Sequence, residues 1–138
     1  MTPRNTNTGG VLEAMVLPAL ERGGYGHEQQ ITVGTRCGGG VHKVDAVATK
    51  ALERILVSMK WQQTSGTAEQ KVPFEVMCLA DAVRQGHAAR AYLVLGGDGW
   101  KLRDYYTSGA MTDHLVHAGL VKVVTLEAFV RLANNGQL

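Results

Sequence analysis

Three short segments concentrate the residues able to do chemistry: Val41-His42-Lys43-Val44-Asp45, Leu56-Val57-Ser58-Met59-Lys60-Trp61-Gln62, and Ser65-Gly66-Thr67-Ala68-Glu69-Gln70-Lys71. The first two read as neighbouring β-strands. Successive strand residues face opposite sides, so Lys43 and Asp45 share a face, and so do Ser58, Lys60 and Gln62. If the strands are adjacent, Asp45 lies across from the Ser58–Lys60 pair. One carboxylate and one lysine on the same sheet face form a minimal kit for cutting a phosphodiester. The carboxylate holds a hard divalent cation such as Mg2+, which wants oxygen ligands and for which Mn2+ can substitute. The backbone carbonyl of Met59, between the two functional side chains, is a further oxygen donor. The lysine orients the attacking water or stabilises charge developing on the phosphate.

The elements that must position these residues follow from the apolar periodicity. Val11, Leu12, Met15, Val16, Ala19 and Leu20 repeat at helical spacing after Thr8-Gly9-Gly10, with Pro18 predicted to kink or divide the helix. Gln29 to Val33 and Val41 to Thr49 read as a hairpin around the glycine-rich turn Gly34 to Gly40. Arg54 to Gln62 is a third strand, with Ile55, Val57, Met59 and Trp61 facing the core. Thr67 and Gln70 have capping-box spacing for a second helix; Pro73 favours a later start, near Val72. Ala91 to Leu95 is wholly apolar and reads as an interior strand. Short helices over Trp100 to Tyr106 and Met111 to His117, a strand over Leu120 to Val124, and a helix over Leu126 to Ala133 capped by Thr125 complete the order.

The chain has 138 residues, 45% of them apolar, and a net charge of +2. That length fits one domain over residues 1–138 with a single core, and the composition excludes a disordered chain. No apolar stretch approaches the roughly 20 residues of a bilayer span. Met1 to Thr8 is polar and lacks the apolar region of a signal peptide. Cys37 and Cys78 have no CxxC spacing, so neither zinc nor a disulfide framework is expected, which suits a cytoplasmic location. The small positive charge fits a polyanionic partner if basic residues such as Arg36, Lys43, Lys60 and Lys71 cluster on one face. His42 points away from Asp45 and reads as structural. His114 and His117 lack a third ligand.

The Asp45 and Lys60 arrangement, within this order of elements, resembles the PD-(D/E)XK nuclease superfamily. The resemblance covers roughly Thr8 to Leu95, with Asp45 matching the motif aspartate and Lys60 the motif lysine. It implies an α/β restriction-endonuclease-like fold: a mixed β-sheet flanked by helices in α-β-β-β-α-β order. It also implies a metal-dependent endonuclease that acts on DNA with Mg2+. Cutting both strands needs two sites, hence a homodimer or higher assembly. Ser58 departs from the motif, because it stands where a second acid is expected and a hydroxyl does not replace a carboxylate ligand. Glu13, Glu69 and Glu75 are the acids able to substitute. Glu13 falls where many members carry a glutamate on the first helix, and it is taken as the second catalytic acid and metal ligand beside Asp45. Lys43, Gln62 and Lys71 are the substrate-binding candidates. Two alternatives stay open: a single ion held by Asp45, a main-chain carbonyl and waters, or a decayed site that binds nucleic acid or a protein partner without cutting.

Overall fold

The computed structural model describes residues 6–138. One five-stranded sheet, ordered β1-β2-β3-β4-β5, forms its centre. Strands β1 (Gly26–Thr35), β2 (Val41–Lys50) and β3 (Glu53–Trp61) make an antiparallel meander. Strand β4 (Arg90–Gly96) runs parallel to β3, and β5 (Val121–Thr125) runs parallel to β4. The sheet is therefore mixed, and its order of elements is the one the sequence predicts. Ala91 to Leu95 reads as a continuous apolar run because β4 pairs on both edges and is covered on both faces.

Helices cover the two faces. On one side lie α1 (Thr6–Val11), a π-helical segment (Leu12–Val16), α2 (Leu17–Arg22) and α5 (Leu126–Asn134). There Leu12, Val16, Leu20 and Phe129 pack with Ala46, Ala48, Ile55, Val57 and Met59 of the sheet. On the other side, Val72, Val76 and Leu79 of α3 (Ala68–Arg84) pack with Val44, Val47, Leu56 and Leu93. The short α4 (Arg103–Thr107) and 3-10 turns at Ala110–Asp113 and Ala118–Leu120 connect β4 to β5.

Several local expectations are corrected, while the break expected at Pro18 is present as a π-helical segment between α1 and α2. The first helix begins at Thr6 rather than after Gly10; Met1 to Asn5, part of the stretch read as lacking a signal peptide, lie outside the described residues. Pro18 is accommodated by the π-helical segment before it, where the Leu17 N–H reaches back to the Leu12 carbonyl. This wider turn relieves the clash and the lost bond that proline imposes on a regular helix. The Thr67 capping box does not form, for its side chain makes no cap bond, and α3 starts at Ala68 rather than near Val72. Instead the Gln62 side chain accepts the Ala68 N–H at 3.0 Å, satisfying one orphan donor from outside the helix. Met111 to His117 gives only the 3-10 turn Ala110–Asp113 and a left-handed His117. Thr125 does cap α5, accepting the Ala128 N–H at 3.2 Å.

Pro73 sits inside α3 and leaves the Glu69 carbonyl without its helical donor. The Tyr106 hydroxyl donates to that carbonyl at 2.7 Å, so the buried oxygen is satisfied from α4.

Candidate functional site

The site opens where β2 and β3 part. Their pairing runs from Lys50↔Glu53 to Ala46↔Val57. At the next position the Asp45 carboxylate replaces the ladder, and its Oδ2 accepts the Met59 N–H at 2.7 Å. A strand residue's N–H and C=O point to the same edge, so the Met59 carbonyl is aimed into the same gap. The alternation of β2 slips here. Val44 and Val47 both pack on the α3 side, while Ala46 and Ala48 pack on the other. Opposite Asp45, between the pairs Gln29↔Ala46 and Ile31↔Val44, Gln30 adopts a left-handed φ of 54°.

A cleft of about 460 Å³ occupies the gap. Gln30, Lys43 and Asp45 line it from the hairpin, Ser58, Met59, Lys60 and Trp61 from β3, and Lys71 and Glu75 from α3. Arg36, in the hairpin turn, and Gly9, Leu12 and Ala68 complete the rim. Asp45, Lys60, Lys43, Lys71 and Met59 thus meet in one place, with Asp45 and Lys60 on adjacent strands.

Two sequence-predicted residues do not join them. Glu13 is exposed in the π-helical segment and does not line the cleft; its neighbour Leu12 points inward instead. Gln62 is buried, and its amide is fully occupied. It donates to Glu69 Oε2 at 3.0 Å and the Gly99 carbonyl at 2.8 Å, besides capping α3. Its backbone is enclosed as well: Gly97 has a φ of 91°, and a Cβ there would strike the Gln62 carbonyl. Glu69 is likewise committed, accepting the Lys101 and Leu102 N–H groups at the start of α4.

The acid that reaches the cleft is Glu75. It is only 4% exposed, as is Ser58 beside it. Glu75 Oε2 accepts the Ser58 hydroxyl at 2.9 Å and lies 3.3 Å from His42 Nε2. Among the described residues both contacts fall on Oε2, and Oε1 takes none. Ser58 therefore marks the vacant strand position and also holds the carboxylate that comes from the helix. In the sequence, Glu75 falls on the Val72, Val76 and Leu79 stripe of α3. A charged residue on a buried helical stripe is itself the signal, since unpaired acids are almost never placed there. Arg36 was among the basic residues expected to cluster toward a polyanion, and it does reach the cleft; Gln30 gave no comparable sign.

The electrostatics tie the two acids and the lysine together. Burial pushes the Asp45 carboxyl up from its ordinary value; the Met59 N–H bond and the Lys60 ammonium pull it down, and the Glu75 charge raises it further. Burial also opposes the charge on Glu75, but the hydrogen bonds from His42 and Ser58, with Lys60 nearby, outweigh it and hold that carboxyl below its ordinary value. Lys60 faces both carboxylates. Among the described residues no three His, Cys, Asp or Glu side chains converge. The donor set is instead two carboxylates and a main-chain carbonyl. All are oxygens, which suits a hard divalent cation that keeps several waters. Two partly buried, mutually repelling carboxylates are also the arrangement a cation relieves.

A helix, a three-strand meander, a helix and a parallel strand, with Asp45 and Lys60 at the open end of the meander, define the architecture of a restriction-endonuclease-like protein. The chain belongs to the PD-(D/E)XK nuclease superfamily: the model of a PD-(D/E)XK nuclease superfamily domain matches residues 4–137. No curated protein matches it. Among solved structures, it is similar to a crystal structure of a protein of unknown function, AF1548. The two share 14% identity over 80% of this chain and 54% of that one, with a TM-score of 0.49. This chain spans about half the length of that protein. Among the described residues no helix is long and apolar enough to cross a membrane.

Proposed function

We propose that this chain is an endodeoxyribonuclease, a single nuclease domain over residues 1–138 that hydrolyses DNA phosphodiester bonds with Mg2+. The observation that carries the reading is Glu75, which brings a second carboxylate to the Asp45–Lys60 cleft where Ser58 leaves the strand without one. Asp45, Glu75 and the Met59 carbonyl hold the cation; Glu75 takes the place expected for Glu13. When bound, the cation supplies Lewis-acid polarisation of the phosphate and activation of water. Lys60 reaches the same point from β3 and neutralises charge that develops on the phosphate oxygens, or holds the attacking water. Arg36, Lys43 and Lys71 rim the cleft and bind the flanking phosphates of the strand. Gln30, at its left-handed φ opposite Asp45, lines the same cleft from β1. Two such centres serve the two strands of a duplex, on a homodimer or higher assembly, and the protein works in the cytoplasm.

The test is cleavage of supercoiled plasmid by purified protein. Nicked or linear product is expected with Mg2+ and not with chelator, and it should disappear in Asp45→Asn. DNA binding without any cleavage, in Mg2+ or Mn2+, would refute the enzyme and leave a decayed nuclease fold that only binds.

A further inference from the structure

We infer that His42 is a positioning residue that fixes the Glu75 carboxylate for its role at the cleft; this rests on the reading of Glu75 as a cation ligand. His42 is 0% exposed, and its Nε2 approaches Glu75 Oε2 at 3.3 Å. The Ser58 hydroxyl reaches the same oxygen at 2.9 Å. Two donors on one oxygen fix the rotation of the carboxylate and leave Oε1, on a residue that lines the cleft, without a protein donor among the described residues. With the Ser58 hydroxyl alone, the group could swing about that bond.

The other imidazole nitrogen supports a functional reading. His42 Nδ1 is buried and has no partner among the described residues. A histidine kept only for core packing would satisfy both nitrogens or give way to an apolar residue, since an unpaired buried polar atom costs stability. Donation from Nε2 to Glu75 is what the imidazole gains for that cost. The contact is long for an N–H···O bond, so His42 orients Glu75 jointly with Ser58 rather than alone. The alternation slip at Asp45 is what turns His42 toward α3. The same irregularity that opens the cleft therefore delivers its supporting side chain.

The test is calorimetric titration of Mn2+ into metal-free protein without DNA, with folding checked by circular dichroism. His42→Asn places its amide too short to reach Glu75 and should weaken Mn2+ binding on the order of 10-fold or more, the usual scale for a ligand's supporting partner. His42→Gln extends an amide to the Nε2 position and should bind Mn2+ like the wild type. Where His42→Asn does not fold, His42→Met, which fills the space without a donor, takes its place with the same expected loss. In a Glu75→Gln background, the His42 change should cause no further loss. Wild-type affinity in the donor-less variant beside weak binding in Glu75→Gln overturns the inference alone, as does a full additive loss in the double variant. Wild-type affinity in Glu75→Gln overturns the assignment of Glu75 as ligand, and the positioning role with it.

Discussion

Asp45→Asn separates the chemistry of the site from the stability of the fold. The asparagine keeps an oxygen for the Met59 N–H, which Asp45 accepts at 2.7 Å, and removes the charge. Burial raises the Asp45 pKa, and the Glu75 charge adds to this. The folded state therefore favours the protonated acid, and ionisation subtracts stability as pH rises through the folded value. Without divalent metal, Asp45→Asn should be at least as stable as the wild type at neutral pH, with the difference vanishing toward acid. Asp45→Ala leaves the Met59 N–H unpaired and should lose about 1–3 kcal/mol. Divalent metal reverses the order. At about 100 times its Kd, Mg2+ should stabilise the wild type by about 2.7 kcal/mol, which is about 8 °C in Tm for a domain of this size. Asp45→Asn should gain little. The assay is thermal unfolding followed by circular dichroism, in chelator and in Mg2+, from mildly acidic to neutral pH. An Mg2+ shift equal in variant and wild type would refute the reasoning. So would an asparagine variant that is less stable in chelator at neutral pH.

Glu75→Gln should abolish Mg2+-dependent cleavage while Glu13→Gln leaves it near wild type, and Lys60→Ala should slow it on the order of 10²-fold; plasmid cleavage rates read all three. The lowered Glu75 pKa means its charge stabilises the fold above the unfolded value, with that stability lost as pH falls through the folded one; Glu75→Gln should flatten this acid loss in thermal melts. Arg36→Ala, Lys43→Ala and Lys71→Ala should each weaken DNA binding at any sequence and lower the slope of log affinity against log salt by about 1, measured by fluorescence anisotropy. Gln62→Ala should act on stability rather than on cleavage per folded molecule. It strips partners from the buried Glu69 and from the Ala68 N–H, a loss of about 2–4 kcal/mol in chemical denaturation.

That Asp45 and Lys60 come together in one cleft was legible from two adjacent strands whose order is carried by apolar periodicity, even though the alternation of β2 slips at Asp45. The second acid was not, since Ser58 marks a vacancy without saying which element fills it. Glu13 matched a position in the family pattern, but helical phase turns it to solvent. Glu75 lies well down the chain, and only the packing of α3 across β3 brings it to Ser58. His42 was hidden by the rule of alternation itself, because the slip at Asp45 and the left-handed Gln30 shift the face of the residues before them. Gln62 lies on the same face as Lys60 in an ideal strand. Beyond the end of β3, its amide instead meets the unpaired N–H groups at the start of α3 and the loop after β4. The capping box did not form either: the Gln70 N–H it would have capped bonds the Thr67 backbone carbonyl, and Gln62 from outside the helix takes the Ala68 N–H.

The most direct measurement is an anomalous difference map from a crystal of the protein grown with Mn2+. A single strong peak is expected in the cleft between β2, β3 and α3, with Asp45, Glu75 and the Met59 carbonyl as its protein oxygens and the Lys60 ammonium nearby. A peak held by Glu13, or one away from Asp45, would contradict the account, as would a saturating soak that leaves the cleft without any peak.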